Sequence, residues 1–371
     1  MRNMCNKKIE VEINDNNSEE KYFLPVDFIK YPKYDAHVHY HAFDDIVVRL
    51  AKKANIHLIA INTNFDFLDL DTQVEISKIL HQRHPQSFDF IGAFDASAFA
   101  SKTFTDDAIA QIKNCMAAGA RGIKIWKNIG MHLKNEAGQY LMVDDPVFDP
   151  IFTFLEKEKI PLLVHLGEPR NCWLPIERMS ISRDKGYFSK NPDFHMYLHP
   201  EAPSYEQQIE ARDHLLERYP KLIIVGAHLG SMEWNLEMVA KRLDRYPNFY
   251  VDISVQFEHI YNQTIKDRSL VIDFFKTYYN RILYARDYFV SQYSDRKCLK
   301  ILSKCFPRAY MNLSYRRERH VIKNQWLFFA TDKLIRTDRM KNIKHVKGLR
   351  LSKDMVNHIF YGNIRHIYFN K

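Results

Sequence analysis

Four short segments of this 371-residue chain end in groups that bind metals or carry protons. The first reads Tyr34-Asp35-Ala36-His37-Val38-His39. In an extended strand residues i and i+2 face the same way, so His37 and His39 can offer two imidazoles to one ion. The second runs from Pro161 to Gly167 and carries His165, the third from Val225 to Gly230 with His228, and the fourth from Leu283 to Asp287. A single histidine closing a strand is more often a satisfied structural group. Four ionisable strand ends on one rim would make a catalytic metal site. Three neutral imidazoles and one carboxylate suit zinc, with manganese or iron as alternatives. Such an ion lowers the pKa of bound water toward about 7 and polarises a substrate oxygen.

These groups converge only if the intervening elements place them so. β-Branched and aromatic runs recur at Tyr31–Ala36, Ile56–Asn62, Phe88–Phe94, Gly122–Trp126, Ile160–His165, Leu222–Ala227, Phe249–Ser254 and Ile282–Arg286. Amphipathic stretches separate them, near Asp44–Ala54, Thr72–His84, Asp106–Ala118, Pro146–Lys159, Tyr205–Tyr219, Glu233–Tyr246 and His259–Tyr279. Strands alternating with helices predict a parallel sheet, and eight such units predict an α/β (β/α)8 TIM barrel, whose active sites sit at the C-terminal ends of the strands. A doubly wound sheet is the alternative, but its usual nucleotide motifs, GxGxxG and GxxxxGK[ST], are missing.

Two stretches break the rhythm as long insertions, about 167–204 after strand 5 and 288–351 after strand 8. Both follow the active rim, where long loops act as lids or binding loops. Residues 1–30 read as an N-terminal extension and 31–371 as a single domain. No apolar run reaches the length of a membrane span, and the polar N-terminus has no secretory h-region. Cys5, Cys115, Cys172, Cys298 and Cys305 form no CxxC or repeated spacing, so a disulfide framework is not expected and a cytoplasmic location is. From Arg281 to Lys371 there are 21 Lys and Arg against 6 Asp and Glu. A basic stretch can dock nucleic acid or an acidic partner. Its aromatics (Tyr310, Trp326, Phe328, Phe329, Phe360, Tyr361) read instead as core, and no nucleic-acid-binding signature accompanies them.

The motifs DAHVHYH, GIKIWKNIG, PLLVHLGEPRNCWLP, VGAHLGS, FYVDIS and RILYARD, with the closing VNHIFYGN, resemble the amidohydrolase superfamily, most closely its amidohydrolase-2 branch. The resemblance runs from Tyr34 to about Tyr368. It implies that His37, His39, His165 and Asp287 are metal ligands for one divalent ion, with zinc first and manganese or iron as alternatives. It implies that His228 orients or deprotonates the water or binds substrate, and that Asp287 also takes a proton. The branch contains hydrolases, lactonases and non-oxidative decarboxylases, and some members work without a metal.

The sequence departs from that pattern where relatives read Gly-Thr-Asp and this chain has Ala285-Arg286-Asp287. Arg286 either weakens the metal site by repulsion or, by strand alternation, points away from it. Lys124 and Lys127 lie on or after strand 4. A lysine there is carbamylated in some relatives, but an ion-paired or substrate-binding lysine fits a one-metal site better. Glu168 and Arg170 either bind substrate or pin the loop. His41 could support the ligands from behind, His195 and His199 either line the site or are solvated, and His57, His81, His84, His132, His214 and His259 are surface or packing groups.

Three functions follow as expectations. The first is a metal-dependent hydrolase cleaving a C–N or C–O bond of a small polar substrate, with Lys127, Glu168 and Arg170 holding it. The second is a non-oxidative decarboxylase on the same site, with Arg170 or Arg286 facing the carboxylate. The third, of another class, is a degenerate barrel that binds through its basic C-terminal region. The expected partner is a small molecule, with no membrane and no nucleic acid; a homodimer is compatible with the sequence, although nothing marks an interface.

Overall fold

Runs of apolar and β-branched residues buried on both faces make parallel strands, and nine of them form one sheet. The computed structural model describes residues 21–64, 68–255, 257–294, 297–337 and 344–370. The strands are β1 (Lys33–His41), β2 (Ile56–Ile61), β3 (Phe88–Ala93), β4 (Ile123–Ile125), β5 (Leu162–Val164), β6 (Ile224–Gly226), β7 (Phe249–Asp252), β8 (Ile282–Leu283) and β9 (Tyr288–Ser291). Their order is β8-β7-β6-β5-β4-β3-β2-β1-β9, and all neighbours pair in parallel.

The eighth strand expected over Ile282–Arg286 is divided. β8 pairs with β7, β9 pairs with β1, and a short link joins the two. Within the link the Ala36 amide donates to the Tyr284 carbonyl (3.2 Å) and the Asp287 amide to the His37 carbonyl (2.7 Å). Asp287 adopts φ 51°, a left-handed conformation that turns the chain at this point. One run of chain therefore connects the two ends of the strand order, and the sheet curls back on itself.

Helices cover its outer face: α1 (Ile46–Lys52), α2 (Leu70–Arg83), α3 (Phe104–Ala117), α4 (Asp149–Lys157), α6 (Tyr205–Arg218) and α7 (Leu236–Arg245) follow the first six strands, while α5 (Ser182–Phe188) lies between β5 and α6 at the site end of the sheet. The single helix expected over His259–Tyr279 is two, α8 (Phe257–Lys266) and α9 (Arg268–Tyr278). The Asp267 carboxylate accepts the Leu270 amide (3.0 Å), an N-cap that starts α9 afresh. Val38, Leu58, Phe90, Ile123, Leu162, Ile224 and Val251 pack beneath these helices. The alternate residues, Ala36, Ile59, Ile91, Leu163, Val225 and Leu283, point inward and meet Ile364, Ile367 and Tyr368 of the closing helix.

A register shift in β1 matters for the site. Asp35 is level with Leu58 of β2 and Val38 with Ala60, so β1 carries one residue more than its partner. Before this bulge Tyr34 and Ala36 face inward, while beyond it Val38 and Tyr40 face outward. The bulge thus reverses the parity and turns His37 and His39 into the interior.

The stretch after β5 forms short helical turns and α5 around its own cluster of Met131, Cys172, Met179, Phe188 and Met196. The stretch after β8, expected as a long lid-like insertion, holds β9, α10 (Lys297–Cys305), the long α11 (Pro307–Ala330) and an antiparallel pair, β10 (Leu334–Arg336) with β11 (His345–Lys347). Helices α12 (Lys353–Asn357) and α13 (Asn363–Phe369) close the chain. Trp326, Phe328, Phe329 and Phe360 are buried, as core residues of a basic segment should be. Of the expected N-terminal extension, residues 1–20 lie outside the described residues, as do Cys5 and the side chain of Cys298. Of residues 21–30, Phe23 and Phe28 belong to the core, their rings 5.2 and 5.8 Å from Trp326, while Leu24, Val26 and Ile29 are exposed. No helix among the described residues is long and apolar enough to cross a membrane.

Candidate functional site

Inward-facing residues at the C-terminal ends of β1, β4, β5, β7 and the β8–β9 link meet in one place. Ligand atoms of His37, His39 and Asp287 all lie within 4.8 Å of one another. Asp287 Oδ1 is 3.3 Å from His39 Nε2 and 3.7 Å from His37 Nε2. Its other oxygen lies 3.8 Å from His228 Nε2. His165 stands beside this cluster rather than in it: its ring is 4.4 Å from that of His228, edge on. His165 Nε2 is buried with no hydrogen-bond partner among the described residues, Glu168 Oε2 being 3.8 Å away.

The imidazoles are held in defined orientations. His37 Nδ1 is 3.0 Å from Asp252 Oδ2, and Lys124 Nζ is 3.0 Å from His37 Nε2. Burial, and then the Lys124 charge, push the His37 pKa down to about 4. Burial, and then His228, push His165 down to about 3, so both rings are neutral at pH 7. Asp252 is buried, which favours its acid form, but the hydrogen bond with His37 outweighs this and holds the carboxyl well below the usual range. The same opposition, with His37, His39 and His228 prevailing over burial, keeps Asp287 ionised.

His228 lies on a sharp turn: His228, Leu229 and Ser231 have φ of 58°, 56° and 60°. The Asp252 carboxylate accepts its amide (2.9 Å), and the Ser254 carbonyl lies 3.0 Å from Nδ1. A carbonyl only accepts, so Nδ1 carries a proton, and Nε2 is the nitrogen that faces Asp287.

The cluster opens into a cavity of about 320 Å³ lined by His39, His165, His228 and Asp287 together with Lys127, Glu168, Trp126 and Phe289. Lys127 and Glu168 form a buried ion pair in its wall. Burial opposes both charges, but each partner outweighs it: the Glu168 pKa is lowered to about 2 and that of Lys127 is raised. Arg170 is not brought into this wall. Its guanidinium stacks 4.2 Å from the Trp234 ring and its amide donates to Glu233 (3.3 Å). Arg286 faces outward as alternation allows, paired with Glu318 of α11 at 2.7 Å. The arginine that lines the cavity is Arg183 of α5.

His41 is buried beside His39, with ring centroids 6.1 Å apart. His195 is buried and pins its loop through the Leu174 carbonyl (2.8 Å), and His259 is buried on Asp184 (3.2 Å). Sequence reasoning assigned no role to Asp252, although Phe249-Tyr250-Val251-Asp252 is a strand closed by a carboxylate, the same signal that marked Asp287. Arg183, Trp126 and Phe289 carried no local signal.

A family model described as amidohydrolase matches residues 89–369. His165, His228 and Asp287 lie within that span, whereas His37 and His39 precede it. No curated protein matches the chain. Among solved structures it is similar to an amidohydrolase II, at 13% identity over 91% of this chain and 100% of that one, with a TM-score of 0.48. A 2,6-dihydroxybenzoate decarboxylase is similar at 14% identity over 91% and 99%, with a TM-score of 0.46. An amidohydrolase from Burkholderia multivorans is similar at 11% identity over 91% and 99%, with a TM-score of 0.47.

Proposed function

The chain belongs to the amidohydrolase family, and from that premise we propose that it is a metal-dependent hydrolase on a (β/α)8 barrel, opening a C–N or C–O bond of a small polar substrate such as a cyclic amide, ester or lactone. The observation that carries this reading is the convergence of His37, His39 and Asp287 at the base of the cavity. Their chemistry fits a divalent ion, and the unpartnered buried Nε2 of His165 at the cavity edge supports it as a further ligand. An ion held by these residues would supply ionised water and a polarised carbonyl at neutral pH.

The remaining steps belong to the chain. Asp252 fixes the His37 ring from behind and directs Nε2 to the centre. His228, with Nδ1 tied to Ser254, presents a basic Nε2 that takes a proton from the attacking water, and Asp287 Oδ2 beside it shares that proton. Lys127 and Glu168 offer a donor and an acceptor to the polar groups of the substrate, and Arg183 takes the place at the cavity expected for Arg170. A decarboxylase needs a cation on the substrate carboxylate; Arg170 and Arg286, named for it, are engaged on Trp234 and Glu318, so that role would fall to Arg183 or Lys127 of the cavity wall.

Metal analysis of the purified chain is the direct test, with one divalent ion per chain expected. Less than about 0.1 ion per chain after zinc supplementation overturns the metal-dependent reading. A library of lactones, cyclic amides and carboxylic acids then separates the reactions: acid release supports hydrolysis, and carbon dioxide release refutes it.

A further inference from the structure

A second cavity, of about 520 Å³, adjoins the first and shares Arg183, Val255, Asp287 and Phe289 with it. Its far wall is one stripe of α11. Tyr310, Leu313, Ser314 and Arg317 recur at i, i+3, i+4 and i+7, the spacing that puts residues on a single helix face. This helix lies in the basic stretch of the sequence, whose charge the reaction itself leaves unexplained. Three guanidinium groups and two carboxylates line the cavity. Arg286 is matched by Glu318, and Asp287 belongs to the neighbouring centre. Arg183 is held at the junction by the Val255 carbonyl (3.2 Å), and Arg317 is exposed on the α11 wall with no ion pair among the described residues. Tyr288, Leu299, Tyr310 and Leu313 also line the cavity.

We propose that this second cavity is an anion-binding subsite, so that the substrate is an acid whose reactive bond lies at the His37–His39–Asp287 centre and whose carboxylate or phosphate lies between Arg183 and Arg317. Guanidinium forks match the planar or tetrahedral oxygens of those groups. The two cavities together suit an elongated molecule, its carbon linker against Phe289 and Leu313. The assignment of a substrate, though not the binding of an anion, rests on the hydrolase reading above.

The test is isothermal titration of the whole chain at low ionic strength with glutarate, glycerol 3-phosphate and the neutral glutaramide. At least one anion should bind, and the tighter of the two identifies the preferred group; glutaramide should not bind. Arg183→Gln and Arg317→Gln should each weaken the anion by roughly tenfold, the worth of one charge-assisted contact. Chain stripped of metal should bind the anion as tightly as chain loaded with zinc, which separates this subsite from the metal centre. Equal binding of glutaramide, no anion binding at millimolar concentration, or insensitivity to both arginine variants overturns the proposal. Binding that requires the loaded zinc also overturns it, because the anion then sits at the centre itself. Absence of metal would refute the hydrolase reading and leave the anion result standing.

Discussion

Replacing Glu168 by glutamine would leave the Lys127 ammonium without its counter-charge in a wall where the two side chains are only 9% and 7% exposed. Removing one partner of a buried pair costs about 3–5 kcal/mol, because the other charge remains desolvated. The cavity opens to water, so hydration relieves part of this, and about 2–4 kcal/mol is expected. For a chain of this length that is a fall in melting temperature of roughly 3–5 °C. Lys127→Met should cost a similar amount by stranding Glu168. The paired variant, Lys127→Met with Glu168→Leu, should recover to within about 1 kcal/mol of the parent, since an apolar pair of similar volume has no charge to solvate. Thermal and urea unfolding of the four proteins measures this. Single variants that melt with the parent, or a double variant no more stable than the singles, would refute the reasoning. Kinetics on an identified substrate then decide what the pair is for. If it holds substrate, the restored double variant shows KM raised about tenfold or more; an unchanged KM means that it only pins the loop after β5.

His37→Ala or His39→Ala should lower metal occupancy and turnover together without unfolding the chain, and Asp287→Asn should do the same by removing the anionic group of the cluster. His228→Ala should keep the metal and lower kcat by about 10²–10⁴; metal loss in His228→Ala with retention in His39→Ala would reverse the assigned roles. Glu233, fully buried, has its pKa pushed up to about 7 by desolvation against the weaker pull of His259. A carboxyl raised in the fold contributes stability that is whole below pH 4.5 and lost as pH rises through 7, so Glu233→Gln should gain on the parent between pH 5 and 8, by at most roughly 3 kcal/mol. Parallel stability curves for the two proteins would contradict this. Trp326→Ala should cost about 3–5 kcal/mol and free the segment around Phe23 and Phe28, read as faster proteolytic cleavage near residues 21–30.

Much of this protein is legible one segment at a time. The strand and helix alternation and the strand-end positions of His165 and His228 follow from periods of 2 and 3.6 residues, which depend on backbone geometry alone, whereas the direction of Arg286, open in the sequence, is set by its pairing with Glu318. The family was legible too, in motifs at those strand ends and in the closing VNHIFYGN segment. The division of the eighth strand depends on Asp287 entering a left-handed conformation while it bonds to His37, a residue 250 positions earlier. The inward aim of His37 and His39 depends on one extra residue in β1, which no alternation pattern reveals because it is defined only against β2. Arg170 and Arg183 lie 13 residues apart on the same insertion with equal charge. Packing against Trp234 withdrew the first from the cavity, and the seating of α5 beside Val255 brought the second to it. The sequence by itself determined which groups could do chemistry and on which elements they stand. Only the tertiary structure decided which of them meet, because closing the sheet sets distances between residues that no local period relates.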